Sequence, residues 1–256
     1  MTLSNASKTV LHLNLIQGIG PATIERMVQS LGNVSIESLY KFSQSDFENI
    51  CRLSQVLSEK IYLGLKDLKI LDHELSLIEK NNIKILSVYD DLYPTLLKNT
   101  YLPPAVLYIK GADLEKDGLN IALVGSRKAN NYGYKVVNML VPDLISREFT
   151  IVSGGAIGID SMSHISALKN SGKTIAVIGS GLLRPYPSSN IKLFDEIIQK
   201  NGSIVSPFPL TFAAAPGNFP ARNRIISGLS QVCVVMQAAI KSGALITGHY
   251  AMEQGR

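Results

Sequence analysis

Cysteine is nearly absent from this chain. The two present, Cys51 and Cys233, lie far apart, and Cys233 sits inside the apolar run "VCVVM". They are expected to be reduced thiols of a cytoplasmic protein rather than a disulfide or a metal site. No apolar stretch reaches the ~20 residues of a membrane span, and no charged-then-apolar leader opens the sequence, so a soluble, unexported chain with no membrane partner is expected. His12, His73 and His249 show no ligand spacing. Negative charge is missing from one half. Residues 1–118 hold 12 Lys/Arg against 14 Asp/Glu, a net of −2, whereas residues 119–256 hold 13 against 6, a net of +7. A basic, acid-poor surface suits a polyanion partner, and it equally describes a soluble basic domain.

What is present describes a core-forming protein: 46% of the 256 residues are hydrophobic and 18% charged, enough for one large domain or two ordinary ones. Residues 1–80 read as a small helical domain, with apolar residues at helical spacing in "TVLHLNLI", "ATIERMVQSLG" and "LSEKIYLGLKDLKILDHELSLIEKN". Residues 81–118, punctuated by Pro94, Pro103, Pro104 and Gly111, read as an extended connector with one or two short strands. From Leu119 to residue 256 the form changes. "LNIALVG", "FTIVSGG", "KTIAVIGSG", "GSIVSPFP" and "QVCVVMQA" are short β-rich runs, apolar on both faces. Helices are expected between and after them at 132–147, 160–171, 190–200, 221–229 and 243–254. The alternation predicts an α/β fold, a Rossmann-like, doubly wound and mostly parallel sheet.

Ligands in such sheets bind beyond the carboxyl ends of the strands. Three strand-to-helix turns there carry glycine: Gly125, then Gly154 and Gly155 with Gly158, then Gly179 with Gly181. Any one of them serves simply as a tight turn; three at adjacent strand ends point to a phosphate held on backbone N–H groups. A dinucleotide cofactor is excluded by two absences. There is no G-x-G-x-x-G, and no acid follows to bind ribose hydroxyls: none occurs between Asp160 and Asp195. A Walker lysine motif is also missing. No cofactor is expected.

Cations occupy the places where acids would stand: Arg127 and Lys128, Arg184, Arg222 and Arg224, and Lys241, with Tyr186 and Phe219 nearby to stack bases. Individually each cation fits a solvated surface residue; together with aromatics they are the ingredients of single-strand binding. In "NFPARNRIISGLS" Pro220 suits the first helical position and Ile225, Ile226 and Leu229 the buried stripe. Arg222 and Arg224 then fall where the helix dipole repels cations. They are expected to project freely toward a phosphate, so that their removal leaves stability unchanged or slightly improved. Catalytic groupings are thin. Asp160 and His164, spaced i,i+4, are expected to lie within touching distance on one helix in structural roles, Asp160 as a cap.

Five stretches in order, "ALVGSRKANNYG", "IVSGGAIGIDSMSHISAL", "KTIAVIGSGLLRPYPSSNIKLFDEI", "FPARNRIISGLSQVCVVMQA" and "KSGALITGHYAMEQGR", closely resemble the DprA/Smf family, and the resemblance covers about residues 85–256. "IQGIGPATIERMVQSLG" resembles a helix-hairpin-helix element or the related sterile-alpha-motif-like domain of that family. The resemblance implies a non-enzymatic protein that binds and protects single-stranded DNA, loads the RecA recombinase during natural transformation, and forms a head-to-head homodimer. It implies a DNA site at Gly125, Ser126 and Arg127; at Ser153, Gly154, Gly155 and Ala156; at Asn190; at Arg222, Asn223 and Arg224; and at Lys241, Ser242 and Gly243. No catalytic residue and no metal ligand is implied. The chain departs from the family in two places: "VVMQA" stands where an acid is usual, and the further strand and winged-helix tail expected after the position of Arg256 are absent, which would leave a sheet edge open. The alternative is a nucleoside-monophosphate enzyme of the similar phosphoribohydrolase type, whose "PGGxGTxxE" pattern "SGGAIGID" matches without its Thr and Glu. A nucleotide-sensing module is a third reading.

Overall fold

Helix caps and apolar spacing set the first elements. The structure, a computed structural model, describes residues 3–240 and 242–256. The chain divides into two units: the residues up to Asp91 with Leu102–Leu107, and Leu92–Tyr101 with Tyr108–Arg256. The first unit holds α1 (Asn5–Leu15), α2 (Pro21–Leu31), a 3-10 turn (Ile36–Lys41), α3 (Gln44–Asn49), α4 (Gln55–Lys66), α5 (Leu68–Lys80) and β1 (Lys84–Ser87). Ser4 caps α1 by accepting the Ser7 N–H at 3.0 Å. Pro21 opens α2, where its missing N–H has no intrahelical acceptor to lose, and Ile24, Met27 and Leu31 are the face that it buries. Ser43 and Asp46 form a reciprocal capping box at α3. Buried His12 bonds Tyr40 Oη at 2.9 Å and the Asp67 carbonyl oxygen at 3.2 Å. The carbonyl can only accept, so Nε2 carries the proton and Nδ1 accepts from the tyrosine.

The second unit contains α6 (Thr95–Lys98), most of β2 (Val106–Gly111), β3 (Asn120–Gly125), α7 (Asn131–Ser146), β4 (Thr150–Ser153), α8 (Ile159–Lys169), β5 (Thr174–Val177), a 3-10 turn (Ser188–Asn190), α9 (Ile191–Gln199), β6 (Ser203–Ser206), α10 (Asn218–Gly228), β7 (Val232–Gln237) and α11 (Gly243–Glu253). The sheet runs β1-β2-β6-β5-β4-β3-β7. From β6 to β7 every pairing is parallel, and β2 runs antiparallel to β6. The Rossmann-like, mostly parallel α/β fold expected from the strand-and-helix alternation is therefore present. β4, β5 and β6 are buried on both faces, which is why they read as uninterrupted apolar runs. Ile121, Leu123 and Ile151 pack with Val137 and Val141 of α7 and with Ile159 and Ala167 of α8. β7 lies at one edge and is only partly covered.

Strand order reverses at β3: β4, β5 and β6 follow on one side of it and β7 on the other. That reversal opens a crevice beyond the carboxyl ends of β3 and β7. The helix expected at 221–229 is corrected: α10 begins at Asn218. Pro220 is thus the third helical residue; the first N–H groups of a helix have no partner to lose, so proline is tolerated there too. Arg222 and Arg224 consequently sit in the second turn, beyond the strongest part of the dipole.

Candidate functional site

A cleft of about 720 Å³ occupies the crevice, lined by the β3–α7 loop, the start of α8, α10, the end of β7 and the start of α11. The β3–α7 loop is held on both sides. Ser126 N–H donates to the Gln237 carbonyl at 2.7 Å, Ile159 N–H donates to the Ser126 carbonyl at 3.2 Å, and the Lys128 N–H bonds Ser126 Oγ at 3.0 Å. Gly158 makes this possible: its φ of +91° favours glycine, and a Cβ there would meet the Ser126 carbonyl oxygen. Arg127 and Lys128 extend from this loop into the cleft, the Arg127 guanidinium 5.3 Å from the Phe219 ring centre. Tyr186 tilts against Phe219, with centroids 5.8 Å apart. A smaller hollow of about 40 Å³ lies among Arg127, Ala156, Ile157, Tyr186, Phe219 and Arg222.

Arg222 overturns an expectation. It is 4% exposed, and its Nη1 donates to the carbonyls of Gly154 and Val177, tying α10 to the ends of β4 and β5. Its charge faces Asp160. Burial pushes the Asp160 carboxyl up, while Arg222 and the N–H groups of Ala156 and Gly125 pull it back down. Burial likewise lowers the guanidinium to about 10, against the pull of Asp160. Arg222 is therefore a clamp in the wall of the cleft, not a free arm. Arg224 also departs from expectation: it does not line the cleft, and its guanidinium bonds the Tyr101 carbonyl and lies 5.8 Å from the Tyr250 ring centre.

The remaining expected site residues divide in the same way. Gly125, Ser126, Ala156, Asn223, Ser242 and Gly243 line the cleft with Arg127, Lys128, Phe219 and Arg222. Asn223 Nδ2 also bonds the Gly243 carbonyl at 3.3 Å, linking α10 to the start of α11. Ser153, Gly154 and Gly155 lie beneath the cleft: Ser153 Oγ donates to the Leu123 carbonyl at 2.6 Å, and a Cβ on Gly154 would meet both Arg222 and Asp160. Asn190 Nδ2 is committed to the Gly155 carbonyl and Ser161 Oγ, both at 2.8 Å. Arg184 is exposed and stands apart from the cleft lining. Lys241 lies outside the described residues.

Asp160 and His164 do not meet. The Asp160 carboxylate accepts the Ala156 N–H at 3.3 Å, and His164 Nδ1 bonds Thr174 Oγ1 at 2.7 Å. Thr174 Oγ1 donates to the Ile151 carbonyl, so His164 is the donor at Nδ1. Burial, with the positive charge of Arg222, lowers its pKa to about 3. Gln237 was missed in the sequence: its Oε1 accepts the Asn130 N–H at 3.2 Å while its carbonyl holds Ser126. The signal was the amide in "VVMQA", where an acid is usual. Cys51 and Cys233 are free thiols, and burial raises Cys233 to about 11. Among the described residues no three His, Cys, Asp or Glu side chains gather to hold a metal, and no helix is long and apolar enough to cross a membrane.

The fold has counterparts. Residues 84–256 match the family described as DNA recombination-mediator protein A. The chain is 41% identical over 187 residues to DNA processing protein DprA of Bacillus subtilis, covering 73% of this chain and 63% of that one. It is 37% identical over 248 residues to Protein Smf of Synechocystis, covering 94% of this chain and 61% of that one. It thus spans less than two thirds of the length of these relatives. The X-ray structure of DNA processing protein A from Streptococcus pneumoniae superposes with a TM-score of 0.83 at 33% identity, covering 100% of this chain and 86% of that one. A structure of DNA processing protein A from Helicobacter pylori, described for its single-stranded DNA binding mode, superposes with a TM-score of 0.60 at 30% identity, covering 68% of this chain and 77% of that one. With the matched region taking in all of the sheet from β1 to β7 and every element around the cleft, this chain belongs to the DprA/Smf family.

Proposed function

We propose that the chain binds single-stranded DNA in the switch-point cleft, protects incoming strands, and loads a RecA-type recombinase onto them in natural transformation, acting in the cytoplasm as a homodimer without catalysing a reaction of its own. One observation carries the binding reading: a cleft placed where α/β sheets take ligands is lined by Arg127, Lys128 and Phe219, with Tyr186 against Phe219 in the adjoining hollow, and the sequence holds no acid from 161 to 194 or from 197 to 252. Phosphates would meet Arg127, Lys128, Lys241 and the backbone at Ser126, Ser242 and Gly243. Bases would stack on Phe219 and Tyr186. Arg222, Asn223 and Asn190 keep the cleft in shape, and Arg184 extends the positive surface. Among the described residues lining the cleft the one acid, Asp160, faces the buried Arg222, an arrangement suited to support rather than to proton transfer.

The test is a titration with labelled oligo-dT and with duplex of equal length. Tighter binding of oligo-dT, weakening steeply with salt, is expected; equal affinity for duplex, or no salt dependence, overturns the reading. Addition of the chain to a RecA-type recombinase on coated single strands should shorten the lag of its ATPase. Release of free base from nucleoside monophosphates would instead favour a hydrolase.

A further inference from the structure

Two loops outside the cleft lining form one rigid ledge at the carboxyl ends of β5 and β6. Gly181 N–H donates to the Phe212 carbonyl at 2.8 Å, Leu183 N–H to the Leu210 carbonyl at 2.9 Å, and Ser206 Oγ to the Ser180 carbonyl at 2.7 Å. Asn218 Nδ2, at the start of α10, reaches the carbonyls of Gly179 and Ala213 at 3.1 and 3.2 Å. On this ledge the rings of Phe208 and Phe212 are stacked, 5.5 Å apart and inclined by 9°. Phe208 stacks on Phe212, and Phe212 remains 46% exposed. Exposed Arg184 belongs to the same laced pair, and neither loop contains an acid. Tyr186, 47% exposed and two residues beyond Arg184, tilts against Phe219.

We infer that the Phe208–Phe212 stack is a second base-stacking platform, which takes the single strand as it leaves the cleft and turns along the edge of the sheet past Tyr186 and Arg184. The inference rests on the single-stranded DNA reading above. Neighbouring strands stand ~4.8 Å apart, so the loops after β3 and β6 are separated by about 14 Å, a span that a few nucleotides bridge. An aromatic face accepts any base, so the platform adds affinity and length to the site without sequence preference.

The chain has no tryptophan, so Phe212→Trp introduces a single reporter. Its emission should be quenched by oligo-dT of about 16 nucleotides, the upper end of common site sizes, over the concentrations at which anisotropy of the labelled oligonucleotide reports binding. Phe212→Leu keeps the loop apolar and should bind the same oligonucleotide about tenfold more weakly, with Phe212→Tyr restoring wild-type affinity and the thermal midpoints of all three unchanged. Unquenched emission, or affinity untouched in Phe212→Leu, overturns the platform; so does lost affinity without quenching, which would mark a structural role. If the unaltered chain fails to bind oligo-dT, the functional reading falls and the platform with it. If that chain binds and Arg127→Ala weakens it while Phe212 stays silent, only the platform falls.

Discussion

At the scale of single residues, two arginines of α10 and one of the β3–α7 loop read alike in sequence and do different work. Arg222 is buried against two carbonyls and Asp160. Arg222→Ala leaves that carboxylate uncompensated and should cost about 3–5 kcal/mol in urea unfolding, and Asp160→Asn added to it should recover part of the loss. Arg127→Ala removes a side chain whose guanidinium reaches only an aromatic face. It should leave unfolding nearly unchanged, weaken oligo-dT binding about equally for all sequences, and flatten the salt dependence by roughly 0.7 in log–log slope. The position of both residues near the carboxyl ends of strands was legible from spacing. Which one was buried was not, because burial depends on where the carbonyls of Gly154 and Val177 fall.

At the scale of elements, α8 concentrates what the turns and the acid response depend on. Gly158 at its start holds a positive φ against the Ser126 carbonyl. Gly158→Ala should cost about 1–3 kcal/mol and shift the Ser126–Arg127 loop, seen as weaker oligo-dT binding. His164 farther along is neutral when folded, with its pKa lowered to about 3, and His12 of α1 is lowered in the same direction by burial. A depressed histidine pKa means that the unfolded chain binds the proton first. Stability is therefore full above about pH 6.5 and is lost as pH falls toward 3. Unfolding midpoints at pH 7 and pH 5 should fall accordingly, and His164→Asn, whose amide can donate to Thr174 as Nδ1 does, should lessen the drop. The helices themselves were legible: α7, α9 and α11 lie within a residue of the expected spans. The start of α10 was not, since proline is acceptable at several early helical positions and Gly217 supplies no side-chain cap.

For the whole molecule, charge segregation dictates ionic behaviour. The acid-poor half, with Arg127 and Lys128 lining the cleft and Arg184 exposed beyond it, should give oligo-dT binding a log–log salt slope of roughly −2, read from titrations across salt concentrations. A slope near zero would mean that binding is carried by stacking alone. The sequence by itself determined the strand-and-helix alternation, the absence of a dinucleotide fingerprint and the uneven charge, because periodicity, motif spacing and composition are local or additive properties. Only the tertiary structure decided that β7 returns to the far side of β3, that Arg222 is buried on the carbonyls of Gly154 and Val177 while Arg127 reaches the Phe219 ring, and that Phe208 and Phe212 stack on a ledge beside Arg184. Those facts depend on contacts between residues far apart in the chain, where a carbonyl, a ring or a carboxylate from another element fixes which way each side chain turns.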